Sequence, residues 1–374
     1  MASSRPLQTV EMPINMGPQH PSTHGVLRLI LTLDGERIVS AEPVIGYLHR
    51  AVEKLSENLR YPNIPHLFDR LDYICGLNNE WTLAMAQERL AGIEVPPRAE
   101  WVRIILCELN RIASHFLFVG TFGHDAGTTT AYMYGFRERE RIQQLFDKVT
   151  GYRMMHDYIV LGGIRHDVPE DFVADVRRLL PLLRQGLEDC HNLLTWNEVF
   201  IARTRDVGVI SGEEAVNWGL SGPVLRASGV PYDLRRAEPY SFYPELEFDI
   251  PIGTRGDTYD RYWVRMEEIE QSLRIIEQAL ERLEPGPYIA AGLPKFPRIL
   301  RPPAGEVYVR TENPRGEFGV YLVSTGGEMP YRLKIRAPSF CNLMALPRLL
   351  EGAYLADAVM ILGSIDIILG EVDR

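Results

Sequence analysis

Two histidines stand close together in Gly17-Pro18-Gln19-His20-Pro21-Ser22-Thr23-His24-Gly25. Imidazole can donate or relay a proton near neutral pH, so this segment could take part in proton chemistry. Pro21 and the flanking Gly17-Pro18 place it on a loop, where the simpler role of a histidine is to hydrogen-bond a turn. Two histidines alone make an incomplete zinc site, so no metal is expected there. Cys75, Cys107, Cys190 and Cys341 are scattered and never form CxxC, which fits buried free thiols better than a zinc ribbon or a disulfide framework. No Gly-x-Gly-x-x-Gly follows a strand, no Gly-Lys dipeptide exists, and HExxH is absent. Dinucleotide folds, Walker A loops and zinc proteases are therefore not indicated.

The composition constrains what surrounds that loop. The 374 residues are 45% hydrophobic and 24% charged, enough for a large core or two domains. A net charge of −10 argues against a nucleic-acid groove, which needs clustered Lys and Arg facing phosphates. Residues 1–10 carry no apolar core of a secretory signal. No run reaches the roughly 18 apolar residues of a spanning helix. The best candidate, 353–369, is interrupted by Asp357 and Asp366. Membrane association is expected only through partners.

The expected elements begin with strands at 26–33 and 37–44, joined at Asp34-Gly35, which suits a tight hairpin. A helical pattern over 47–60 stops before Pro62. Over 99–118, Val102, Ile105, Leu109, Ile112 and Phe116 recur at steps of three and four and predict a helix, with Gly120 and Gly123 suited to its end. A second helix is expected over 136–149, its run Arg137-Glu138-Arg139-Glu140-Arg141 reading as a solvated or interface face. Ser211-Gly212-Glu213-Glu214 has capping-box form. A long helix over 258–283 is ended by Glu284-Pro285-Gly286-Pro287. Strands are expected at 307–311, 318–324 and 331–335, with a turn at 313–316, then a helical stretch over 343–362 and a short tail. The fold class is α+β, a mainly helical core with β elements near both ends. Its divisions are an N-terminal hairpin and loop (1–60), a helical core (61–300) and a β-containing closing region (301–374).

Seven blocks then carry a family resemblance. They are GPQHPSTHGVLR at 17–28, IGYLHRAVEKL at 45–55, FDRLDY at 68–73 and ELNRIASH at 108–115, followed by GLSGPVLRASGVPYDLR at 219–235, YRLKIRAPSF at 331–340 and GEVDR at 370–374. Together they resemble, in order and over nearly the whole chain, the D subunit of respiratory complex I, a family related to the large subunit of nickel-iron hydrogenases. The resemblance implies a peripheral-arm subunit of a proton-pumping NADH-quinone oxidoreductase. The chain would bind no metal or cluster itself. It would pack against a B subunit bearing a [4Fe-4S] cluster, with a C subunit and a membrane H subunit as further partners. Its place would be the cytoplasmic side of a bacterial plasma membrane, with a thylakoid membrane as second choice.

The resemblance also assigns residues. Tyr73 and His24 would meet the headgroup of the quinone substrate, whose reduced oxygens need hydrogen bonds and then protons. Asp125 would pair with the histidine, orienting its ring and raising its proton affinity. His20 is a further headgroup candidate, and Arg50 and Arg70 would lie near the neighbour's cluster, favouring its reduced form. One block departs from the pattern. Many relatives place a histidine near the cluster in Arg-Met-His, whereas Arg153-Met154-Met155-His156 has methionine there. One residue along a helix is about 100° of rotation, so His156 would point elsewhere. The cluster is then expected to be lower in potential, with a midpoint that varies little with pH. That suits menaquinone or plastoquinone more than ubiquinone.

Two other readings compete. A nickel-iron hydrogenase needs two CxxC pairs, because soft thiolates hold its bimetallic centre. Here Cys75-Gly76-Leu77-Asn78 has one cysteine, and Ile368 and Glu371 stand where the closing pair would be. A scaffold subunit with a decayed pocket is the third reading. It has no need of His24, Tyr73 and Asp125 together.

Overall fold

The computed structural model describes residues 10–18, 25–294 and 297–374. The chain is mainly helical, with small antiparallel sheets towards either end, the α+β arrangement expected.

At its centre runs the helix Pro97–Asp125, whose residues are buried on almost every side. It packs against Thr129–Thr150 and Thr258–Arg282, and Phe172–Cys190 lies along the outside of the pair. The expected helix over 99–118 continues through Gly120 and Gly123 instead of ending there. Those glycines, with Gly135, are where the next helix comes closest. A methyl on Gly135 would lie 2.4 Å from the Phe116 carbonyl oxygen, and one on Gly123 2.7 Å from Ala131 Cβ. The glycines mark a close approach between backbones, not a stop. Thr129–Thr150 itself is partly at odds with its charged pattern. Glu138 is fully buried, bound by Arg137 and Arg141 across from Gly186, so only part of the charged run faces solvent.

Besides several short helices, two long ones lie where the sequence pattern predicts none. Gly76–Ala91 is buried on nearly all faces, and Asn78, Asn79, Glu80, Gln87 and Glu88 interrupt any apolar periodicity. Phe172–Cys190 does carry a stripe, Phe172, Val176, Leu179, Leu180, Leu183 and Leu187, but Pro181 lies inside it. Pro in a helix interior ordinarily argues against one.

The hairpin forms as expected from Arg28–Asp34 and Arg37–Val44, with a register shift at Thr32/Leu33, and a third strand, Met12–Met16, pairs outside it. Residues 47–60 are mostly not helical. Only Val52–Ser56 forms a helix, preceded by Ala51 in the left-handed region at φ 54°. The reason is tertiary. Asp373 accepts from the Gly46 and Leu48 amides at 2.8 and 2.7 Å and holds the segment as a loop. The capping box forms at Ser211 and Glu214, and Asp257 caps Thr258–Arg282. Gly305–Asn313, Gly316–Ser324 and Arg332–Arg336 make the second three-stranded sheet. The expected closing helix is broken into Pro338–Met344, Leu346–Leu350 and Leu355–Ile365. Cys75, Cys107 and Cys190 are buried free thiols, and Cys341 is half-buried. Among the described residues no helix is long and apolar enough to cross a membrane.

Candidate functional site

Tyr73 lies on the turn between the short helix Pro65–Phe68 and Gly76–Ala91. The turn is fixed from the central helix, where Asn110 donates to the Ile74 carbonyl at 2.7 Å. Next to Tyr73 in the chain begins a buried polar cluster. Arg315 Nη1 donates to Asp72 at 2.6 Å, to Ser114 at 3.1 Å and to the Cys75 sulfur at 3.5 Å. Its Nη2 donates to Asp366 at 3.3 Å. Glu371 accepts from the Ser339 amide at 3.2 Å and from its hydroxyl. Burial raises the Tyr73 phenol above its usual range, the negative Asp72 adds to this, and Arg315 opposes it. The phenol therefore stays protonated and able to donate. Burial likewise raises Asp72 and takes Glu371 up to about 8, with the negative charge of Asp72 contributing to the second.

The position that would carry a hydrogenase thiolate thus holds a carboxyl group, Glu371, bound by a serine. Cys75 is buried against Arg315, and burial carries its thiol far above the usual range.

His20 and His24 lie outside the described residues. The described residues resume at Gly25, where an added Cβ would lie 3.0 Å from Leu369 Cδ1. The next residue, Gly370, packs against the turn of Tyr73, since a Cβ there would come 2.6 Å from the Leu71 carbonyl oxygen. Residues 369 and 370 therefore touch both Gly25, next in the chain to His24, and the turn that carries Tyr73. Asp125 is the last residue of the central helix and is half-buried. At 1.5 Å per residue it lies about 16 Å beyond Ser114 along the axis, well away from the Asp72 cluster.

Arg50 and Arg70 are brought together. Arg50 Nη2 donates to the Arg70 carbonyl at 2.8 Å, and both side chains are exposed. Among the described residues neither forms an ion pair with a carboxylate, so they present two positive charges beside the turn of Tyr73. The segment 152–158 is not helical, which removes the premise of a 100° rotation at residue 155. The direction of His156 is settled by packing instead. It is buried edge-on against Phe146 at 4.9 Å, near Thr150 and the Tyr152 carbonyl, and burial pushes it down to about 4. Met155 takes a left-handed conformation at φ 57°.

Sequence reasoning passes over Asp72 and Arg315, and with them Asp69 and Glu80, and meets Glu371 only as the residue standing where a thiolate would be. The signal for the first two is present as a carboxylate inside FDRLDY and an arginine in the turn Asn313-Pro314-Arg315-Gly316. Charge in otherwise apolar or turn-forming surroundings implies a partner elsewhere. Glu80 gives no such signal, because its helix has no readable period.

Comparison with known proteins bears on the whole chain. Residues 125–374 match the family described as respiratory-chain NADH dehydrogenase, 49 Kd subunit. The chain is 48% identical over 367 residues to the D subunit of NADH-quinone oxidoreductase from Bacillus mycoides (strain KBAB4), covering 98% of this chain and 100% of that protein. With the D subunit from Geobacillus kaustophilus (strain HTA426) it shares 50% over 368 residues, covering 98% and 99%. The chain belongs to the family of the 49 kDa subunit of the respiratory-chain NADH dehydrogenase.

Proposed function

We propose that the chain serves in a proton-pumping NADH-quinone oxidoreductase as one wall of the cavity where quinone is reduced and protonated. The other wall is a neighbouring subunit that carries a [4Fe-4S] cluster. Tyr73 donates a hydrogen bond to a headgroup oxygen, and His24, oriented by Asp125, serves the other with His20 nearby. Arg50 and Arg70 face the neighbour's cluster and favour its reduced, more negative state. His156, buried and neutral, supplies no proton coupling there. Partners are the B, C and H subunits, and the chain sits peripherally on the cytoplasmic side of a bacterial membrane.

The observation that carries this reading is the placement of Tyr73. A protonated phenol stands on a braced turn beside two exposed guanidiniums that, among the described residues, form no ion pair with a carboxylate, and beside a buried acid cluster, with residues 369 and 370 touching Gly25 and that turn. A scaffold requires none of this.

The test is Tyr73→Phe in membranes, assayed with quinone and with ferricyanide, which draws electrons upstream and reports assembly. Quinone reduction is expected to fall at least ~100-fold, the low end for loss of a positioned proton donor, while ferricyanide reduction persists. Survival of both would remove Tyr73 from the headgroup site and favour the scaffold.

A further inference from the structure

Two more buried carboxyls flank the turn of Tyr73. Asp69 opens the turn and Glu80 sits one turn into Gly76–Ala91, at 1% and 0% exposure. Each uses one oxygen to hold the same stretch of backbone. Asp69 Oδ2 accepts from the Asp157 amide at 3.1 Å, and Glu80 Oε2 accepts from the Tyr158 and Ile159 amides at 2.8 and 2.7 Å. Their other oxygens, Asp69 Oδ1 and Glu80 Oε1, are buried and meet no other donor among the described residues. Because the two carboxyls hold consecutive amides of one segment, their orphaned oxygens are brought to the same buried place, where one proton between two carboxyls could serve both. Gly76 makes the room, since a Cβ there would lie 2.7 Å from Asp69 Oδ1.

The backbone they hold is strained. Met155 and Asp157 both have positive φ, 57° and 44°, a conformation that persists only where surrounding contacts impose it.

We propose that Asp69 and Glu80 share a single proton and act as a positioning pair, latching the turn that carries Arg70 and Tyr73 to the strained 155–159 segment. With the proton in place, one donor satisfies both orphaned oxygens and the turn is fixed. Without it, two negative charges face each other in a buried site, and the turn and the segment are driven apart. Burial is the main cause that raises both groups above the ordinary carboxylate range. The other charges facing the pair are Asp157, which adds to the effect on both, and Arg70, which opposes it at Asp69. Cys107, near Glu80, is neutral. Asp157 is itself bound by His66 at 3.1 Å and by Arg165, and these three line an open cleft of about 380 Å³. That cleft gives the pair a route to exchange its proton with solvent.

The inference of a latch rests on Tyr73 as a headgroup residue; the shared proton does not. The test uses the assembled complex in membranes and the ratio of quinone to ferricyanide reduction across neutral to alkaline pH. In the wild type the ratio falls, approaching about tenfold per pH unit once the shared proton is leaving. In Glu80→Gln the amide keeps donating to Asp69, and the ratio stays flat through the same range. In Glu80→Ala it is low throughout. In parallel, infrared spectra at neutral pH should show a protonated-carboxyl band in the wild type that is missing from Glu80→Gln. A Glu80→Gln profile that follows the wild type would overturn the latch, and no difference in the carboxyl band would overturn the shared proton. If the band is lost as expected but Tyr73→Phe leaves quinone reduction intact, the quinone-site reading fails and the pair stands.

Discussion

The central helix feeds two buried polar clusters from different faces, and they are built on opposite principles. Glu108, Arg111 and His115 look one way; Asn110 and Ser114 look about 110° away, at about 100° per residue. On the first face the acids are met by arginines. Glu108 pairs with Arg111 and Arg235, while Arg226 pairs with Glu268 at 2.9 Å and Glu312 at 2.8 Å. Burial pushes Glu108 and Asp233 upwards, but the arginines outweigh it and hold both at about 2. Glu268 is also held low, and only at Glu312 does burial win. On the second face Asp72, Asp366 and Glu371 gather around Arg315. There burial and mutual repulsion prevail, and Asp72 and Glu371 are raised. A cluster saturated with cations is fixed in charge and can only hold the fold. One short of cations keeps a proton that it can exchange near neutral pH, and that is the one beside Tyr73.

The sharpest way to break this contrast is Arg226→Ala. It leaves Glu268 and Glu312 buried without their main partner, and a loss of about 3–5 kcal/mol in chemical denaturation is expected. A loss under about 1 kcal/mol would mean that the first cluster is not held by its ion pairs. Glu371→Gln tests the second cluster through pH. The folded-state pKa of about 8 lies above the ordinary value, so folding takes up a proton. That stabilisation is complete below the unfolded pKa and is lost as pH rises through about 8. Between about pH 5 and pH 8 the wild type should lose up to about 1.4 kcal/mol per pH unit from this group. The glutamine variant should lack that slope, and equal slopes would show that Glu371 is ionised throughout. The smallest effect is expected at the surface. Arg184 bridges Glu270 and Glu277 in a well-solvated setting, and Arg184→Ala should cost less than about 1 kcal/mol. A larger loss would mean that solvent exposure does not separate weak ion pairs from strong ones here.

How much of this can be read from sequence depends on whether one surface of an element is wet. The hairpin, Thr258–Arg282, the capping box and the second sheet are legible because apolar period and turn chemistry agree there. Gly76–Ala91 is not, since a helix wrapped in protein on all sides has no polar face to set its period. The glycines of the central helix mislead, because a close approach and a helix end select the same residue. Of the site, Tyr73, Arg50 and Arg70 are reachable through FDRLDY and LHR, and the latter two do meet. The buried acids around them are not, because a carboxyl that shares a proton leaves no mark distinguishing it from one that forms a salt bridge.

The bonds from Asp373 to the Gly46 and Leu48 amides span 327 and 325 residues of chain. Contacts of such separation close slowly, after local structure has formed. The loop that displays Arg50 therefore settles only when residues 369–373 have docked, and the same docking seats Gly370 under the turn of Tyr73. The face that carries Arg50 and the turn of Tyr73 is among the last parts of the molecule to be completed. Partners that bind this face would select finished chains over partly folded ones, which makes assembly its own proofreading step.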